Sequence, residues 1–437
     1  MSTAAPLPVR ASRPGPMSPT PRLALLLAAT ALGFLFLPPA LPALIALALL
    51  AGAAGDALAV RRPPRVARSV PGILARGVPA QVVVDVDAGG AATRVRQPVP
   101  PDLDLEPREA DGPLTATVVP RRRGRHALPA PAVRVEGRFG LGRVHHRPAE
   151  EAEVLVYPDM PAAHRLVVAV RQGRFRDPGV LTRGPLGLGT DFESIRDYLP
   201  DDDIRQVNWR ASARTGRPMS NQYRVEQDRN VICCIDAGRL MAAPVSADAG
   251  PGVPLTRLDA ALDAAVAVVL VADEIGDQAG AIAFDSTVRR RLSPRRRGGR
   301  AVVEAIFDLE PTTADSDYEL AFRNIGGGKR ALVIVFTDLL EEGAARSLVE
   351  AVPVLARRHH VVVAGVRDPD LDRAVRTPPS GVRDVLAASV VVEALDARAR
   401  VVAQLRRGGA EVLEAPPDQL AAACVGAYLR AKARSRL

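Results

Sequence analysis

Cysteine is scarce in this chain: Cys233, Cys234 and Cys424 are the only three, and none stands in a C-x-x-C spacing. That excludes a disulfide framework and a cysteine-built zinc site. Cys233 and Cys234 are adjacent inside the apolar run VICCID, where buried, reduced thiols are expected, consistent with a reducing compartment. Aromatics make up 3% of the chain, with Trp209 as the single tryptophan. Neither G-x-x-x-x-G-K-[ST] nor G-x-G-x-x-G follows any apolar run, so nucleotide binding by the chain itself is not expected. The histidines (His126, His145, His146, His164, His359, His360) have no metal-ligand spacing, and His359–His360 open an apolar strand.

Acidic residues are also scarce at the start. The net charge is +9, yet residues 1–68 hold seven arginines (Arg10, Arg13, Arg22, Arg61, Arg62, Arg65, Arg68) against Asp56 alone. Six of the nine excess charges therefore flank a hydrophobic segment rather than coat a folded surface, which argues against nucleic acid as a partner. Between them lie LALLLAATALGFLFL (23–37) and, after PPALP, an apolar run that reaches Val60. Crossing a ~30 Å hydrocarbon layer takes roughly 20 residues. Pro38, Pro39 and Pro42 break a continuous helix, so residues 21–62 are expected to form a two-helix transmembrane hairpin, Arg22 snorkelling at its start. A cleavable signal peptide is the competing reading, but a second apolar run comes at once after the first. Positive charge on both flanks places both ends in the cytoplasm, making this a multi-pass protein of the cytoplasmic membrane that meets lipid through the hairpin. Residues 1–20, rich in Pro, Ser and Ala, read as a disordered tail.

From 66 to 175 short β-branched runs bounded by Pro and Gly (81–88, 114–120, 132–139, 152–158) predict a β-rich, sandwich-like domain, with RRRGRH (121–126) as an exposed turn. From 229 to 437 apolar strands alternate with helix-length runs: strands at 230–236, 279–285, 331–338, 359–366 and 410–415, helices at 258–275, 301–309, 343–357, 383–406 and 417–433. This is the rhythm of an α/β, doubly wound, mainly parallel sheet. Ligands of such sheets bind beyond the carboxyl ends of the strands, where Asp236 and Asp338 stand. Two carboxylates there suit a hard divalent cation; the plainer reading is that each caps the loop or helix after its strand.

The segment 176–228 is different in kind. Within it, GTDFESIRDYLPDDDIRQVNWRASAR (189–214) interleaves acids with Arg196, Arg205, Arg210 and Arg214 and carries Trp209. Catalysis by Asp201, Asp202 and Asp203 is disfavoured, because adjacent loop residues point different ways and no histidine accompanies them. The run also reads as a turn and helix with Asp201 or Asp202 as N-cap. Arg196, Asp197, Tyr198, Asp202, Asp203, Arg205, Trp209 and Arg214 are the candidate interaction residues. They act either as a clasp, with Trp209 buried between the two soluble domains and bidentate ion pairs around it, or as a docking surface for a partner. VRRRLSPRRRGGR (288–300) is expected to be a solvated loop, with anionic lipid head groups as its functional alternative.

The order of hairpin, β domain ending in RGRHALPAPAVRVEGRFGLGRV…VLVYP, the run 189–214 and a strand ending in Asp236 resembles the bacterial domain-of-unknown-function family 58. The soluble end of that family is similar to a von Willebrand factor A domain. The resemblance implies a membrane protein usually encoded near, and working with, a MoxR-type AAA+ ATPase. It also implies a metal held by a D-x-S-x-S loop, a threonine and a later Asp. Here Asp236 and Asp338 match the two acids, Gly238 and Leu240 replace both hydroxyl residues, Arg239 adds a competing charge, and Thr312 or Thr313 is not convincingly spaced. No cofactor is expected, a Mg²⁺ ion at Asp236 and Asp338 excepted. The expected function is a non-catalytic, membrane-anchored adaptor. The alternatives are a metal-dependent hydrolase built on Asp236, Asp338 and the acids at 201–203, or a structural envelope protein.

Overall fold

The computed structural model describes residues 14–147, 151–176, 191–199, 207–224, 229–245, 254–326, 329–339, 342–378 and 381–434. The chain divides into two units, Met1–Tyr157 and Pro158–Leu437, and has a mixed α/β architecture with several sheets.

In the first unit, strand β1 (Pro14–Pro19) leads into helices α1 (Pro21–Gly33) and α2 (Ala40–Ala59). Thr20 caps α1 by accepting from Leu23 N, and the Pro38–Pro39 pair separates the helices. Of the two, α2 alone is long and apolar enough to cross a membrane, while α1 has 13 residues. Most of their large apolar side chains are exposed, Leu25 by 71% and Leu44 by 68%. Near the end of α2 the buried Asp56 accepts from Phe139 N (3.1 Å), Leu141 N (2.9 Å) and Gly142 N (3.2 Å). Gly142 is required at this contact: a Cβ there would run into Ala53 O and Ala57 of α2.

The strands after α2 are β2 (Arg65–Ser69), β3 (Ile73–Ala75), β4 (Ala80–Asp87), β5 (Ala92–Arg96), β6 (Leu103–Glu106), β7 (Glu109–Asp111), β8 (Leu114–Pro120), β9 (Gly124–Leu128), β10 (Ala132–Glu136), β11 (Gly142–His146) and β12 (Ala152–Tyr157). They form sheets β1-β11-β10-β5-β7, β2-β4-β8-β6 and β3-β12-β9. The period-2 alternation expected of half-buried strands is clear in β8, where Leu114, Ala116 and Val118 point inward among Val82, Val84, Leu103 and Leu105. Two readings change. Pro14–Pro19 is a strand paired antiparallel with β11, because backbone pairing needs no apolar pattern. The 121–126 turn is not all exposed: Arg123 is 2% exposed and His126 lies buried within β9.

The second unit opens with α3 (Met160–Arg171), where the sequence suggests no helix; Asp159 caps it through Ala162 N and it packs on α5 (Arg257–Ile275). A two-stranded ribbon, β13 (Asp191–Asp197) and β14 (Met219–Arg224), brackets the short helix α4 (Trp209–Thr215). The main sheet uses β15 (Asn230–Asp236), β16 (Gln278–Phe284), β17 (Val288–Arg296), β18 (Ala331–Phe336), β19 (His360–Val366) and β20 (Glu411–Ala415) in the order β17-β16-β15-β18-β19-β20. All neighbours are parallel except β17, antiparallel on β16. The remaining helices are α6 (Gly299–Ile306), α7 (Tyr318–Arg323), α8 (Glu342–Ala356), α9 (Pro369–Arg376), α10 (Val382–Arg407) and α11 (Pro417–Ala433). Ile232, Cys234, Val333, Val335, Val361 and Val363 pack with side chains of α7, α8 and α10, while α5 and α11 contact the strands too. Strands buried in this way read as continuous apolar runs. The arginine run expected as a loop is β17 over most of its length, an edge strand whose charges discourage edge-to-edge pairing.

A closed carboxylate site at the carboxyl edge of the sheet

The apolar runs of β15, β16 and β18 end at Asp236, Asp285 and Asp338, which adjacency of these strands brings to one edge of the sheet. Asp236 is 3% exposed and fully engaged. Its Oδ1 accepts from Gly238 N (2.8 Å) and the Ser316 hydroxyl; its Oδ2 accepts from Tyr318 OH (2.8 Å) and Thr337 Oγ1 (2.7 Å). Burial first, then the Asp236 carboxylate, raise the Tyr318 hydroxyl well above its ordinary range, which keeps it a donor. Gly238 has a steric reason: a Cβ at this position would collide with the Ser316 hydroxyl. Three hydroxyls from distant parts of the chain, those of Ser316, Tyr318 and Thr337, thus converge on the Asp236 carboxylate. Ser316, Tyr318 and Thr337 are not among the residues the sequence singles out, and no local pattern identifies them.

Asp338 faces a different partner. Its Oδ1 accepts from Leu339 N (2.9 Å) and its Oδ2 is paired with the Arg257 guanidinium. Arg257 also reaches Asp368 (3.7 Å), whose Oδ1 accepts from Asp370 N (2.9 Å). Arg257 sits in the first turn of α5, whose N-terminus is fixed by a reciprocal cap between Thr256 and Asp259. Asp285 accepts from Thr287 and Arg289; although burial works against it, these bonds hold its carboxyl below the usual range. Thr312 donates from its backbone and side chain to Ala237 O, at 2.8 and 3.3 Å. Arg239 turns outward to Asp315 (2.6 Å).

These residues do not fit a divalent metal. Mg²⁺ needs oxygen ligands at about 2.0–2.1 Å in octahedral order. The Asp236 oxygens are taken by four internal donors, and a guanidinium already neutralises Asp338. Among the described residues, no group of three or more His, Cys, Asp or Glu is placed to hold a metal.

The candidate interaction residues lie on and around the ribbon. Trp209, the first residue of α4, is 70% exposed. The N-cap of α4 is Asn208, accepting from Ala211 N (2.9 Å) and braced by Asn221 (2.8 Å), while the expected helix start at Asp201 or Asp202 lies outside the described residues. Arg214 is exposed in the last turn of α4. Asp197 pairs with Arg217 (3.2 Å), Arg196 donates to Asp197 O (3.0 Å), and Tyr198 N bonds Pro218 O (3.0 Å). Asp202, Asp203 and Arg205 fall outside the described residues, as does Asp201.

Residues 194–398, from the ribbon to the middle of α10, match a family model. That family is described as protein of unknown function DUF58. Uncharacterized proteins of Mycobacterium tuberculosis and Mycobacterium bovis are 26% identical over 235 residues, covering 51% of this chain and 69% of theirs. Among solved structures, a mutant of the PilB minor pilin from Streptococcus sanguinis covers 81% of this chain and 82% of its own at 8% identity and a TM-score of 0.35, too low to argue from. The DUF58 match includes Asp236, Arg257, Asp338 and Asp368 together with Trp209, so both regions lie within it.

Proposed function

We propose that the protein is a membrane-anchored adaptor with no catalytic activity of its own. In this reading the hairpin 21–62 holds it in the cytoplasmic membrane, both soluble units face the cytoplasm, and the second unit, a von Willebrand A-like doubly wound sheet, presents a docking face to a MoxR-type AAA+ ATPase or its client. The observation that carries the reading is the exposure of Trp209 (70%) beside Arg210 and Arg214 on α4. An exposed tryptophan flanked by arginines is the composition of an interface anchor. The apolar α2 supports the anchor. The full occupation of Asp236 and Asp338 by internal partners favours an adaptor over a metal-dependent hydrolase, which needs open ligand positions.

The test is affinity purification of the full-length protein from detergent-solubilised membranes, comparing wild type with Trp209→Ala, Arg214→Ala. Both side chains are exposed, so the variant should retain stability to within about 0.5 kcal/mol in thermal melting. An AAA+ ATPase recovered with wild type and lost with the folded variant supports the reading. An ATPase retained by the variant, or none recovered with wild type, refutes it.

A further inference from the structure

Adjacent parallel strands that all end in aspartates make the place where an α/β sheet would collect a hard divalent ion. In this protein that place has a cation of its own. Arg257 is 6% exposed, and its two terminal nitrogens face the carboxylates that come after β18 and β19. Asp338 divides its oxygens between Arg257 and Leu339 N, and Asp368 divides its own between Arg257 and Asp370 N. The backbone that carries the guanidinium is fixed, because Arg257 N bonds Ala243 O (2.9 Å) and Thr256 caps the same turn of α5.

From this geometry we infer that the Arg257 guanidinium is the resident cation of the sheet's carboxyl edge, bridging Asp338 and Asp368 where a divalent ion would otherwise sit, and that Arg257 is the residue that keeps such an ion out. A guanidinium stays charged at any physiological pH and offers a planar fork to two carboxylates at once. It cannot share their oxygens with Mg²⁺ or Mn²⁺, whose shells need the same lone pairs. The conformation of this edge is therefore constitutive and independent of metal concentration. A partner carboxylate cannot complete a coordination shell here, so contacts at this edge do not run through a shared ion.

Mn²⁺ is the probe, added to the full-length protein in detergent and followed by the loss of its free paramagnetic signal and by thermal melting with and without EDTA. Wild type should take up no Mn²⁺ and keep its melting temperature in either condition. Arg257→Met, which keeps the stem and removes the charge, should bind one Mn²⁺ and gain in melting temperature on its addition, and Arg257→Met, Asp338→Asn should lose that gain. Arg257→Lys, still cationic, should bind none. A wild type stabilised by Mn²⁺ through an effect that Asp338→Asn abolishes overturns the inference, as does a folded Arg257→Met that ignores Mn²⁺. If Arg257→Met folds only when Mn²⁺ is supplied, the inference is supported; if it folds under neither condition, the wild type and Asp338→Asn comparison decides.

Discussion

Replacing Lys432 by Met should loosen the C-terminal helix more than any surface change in the same unit. Lys432 Nζ bonds both oxygens of Asp277, at 2.7 and 2.6 Å. The pair is almost dry, with side-chain exposures of 6% and 0%. Asp277 also accepts from Tyr428 OH (2.5 Å) and Arg229 N (3.1 Å), so one carboxylate between α5 and β16 holds α11 at two points. Methionine retains the stem but leaves Asp277 as a buried anion with only two neutral donors. Removing one partner of a buried pair costs about 3–5 kcal/mol, against the roughly 0–1 kcal/mol of an exposed pair. Read by hydrogen exchange of α11 amides, that loss corresponds to opening roughly two to nearly four orders of magnitude more frequent. Asp277→Leu, Lys432→Met should recover part of it, since no charge is then stranded, although Tyr428 OH and Arg229 N lose their acceptor. A loss below about 1 kcal/mol for Lys432→Met, with α11 exchange unchanged, would refute this account of how the helix is held.

Two further outcomes are expected from buried titratable groups. Burial first, then Arg358 and Arg330, lower the pKa of His359, whose Nδ1 accepts from Ala331 N (3.2 Å). The unfolded chain then binds a proton near pH 6.5 that the folded chain refuses, so the contribution is present above that pH and is lost as pH falls, at up to about 1.4 kcal/mol per unit. Melting at pH 7.5 and 5.5 should show the decline, and His359→Gln should flatten it; an equally steep decline in the variant removes His359 as its source. The thiols offer a check on the core. Burial pushes Cys233 up to about 12 and raises Cys234 and Cys424 as well. No cysteine should react with iodoacetamide in the folded protein at pH 8 and all three should react in denaturant; labelling of the native protein would place a strand or α11 wrongly.

Much of the second unit is legible along the chain because fully buried parallel strands need only local hydrophobicity: VICCID and ALVIVF announce β15 and β18 without knowledge of their neighbours. The apolar run of α2 and the alternation of β8 are readable for the same reason. The edge strand β17 is not, since its arginines are charged on both faces and its strand state comes from backbone pairing with β16. The role of Trp209 is equally illegible. Composition admits an aromatic beside arginines as clasp or anchor, and the exposure of its ring on α4 is a property of the placed helix that no spacing along the chain announces.

What the sequence by itself determined is where apolar runs begin and end, and hence that Asp236 and Asp338 close two buried strands. What only the tertiary structure decided is what those acids meet. Ser316 and Thr337 reach Asp236 across 80 and 101 residues of chain, and Arg257 meets Asp338 because α5 begins beside the end of β18. Such contacts leave no spacing in a linear pattern: a hydrogen bond requires atoms within about 3 Å, and the topology of the sheet alone brings distant segments that close.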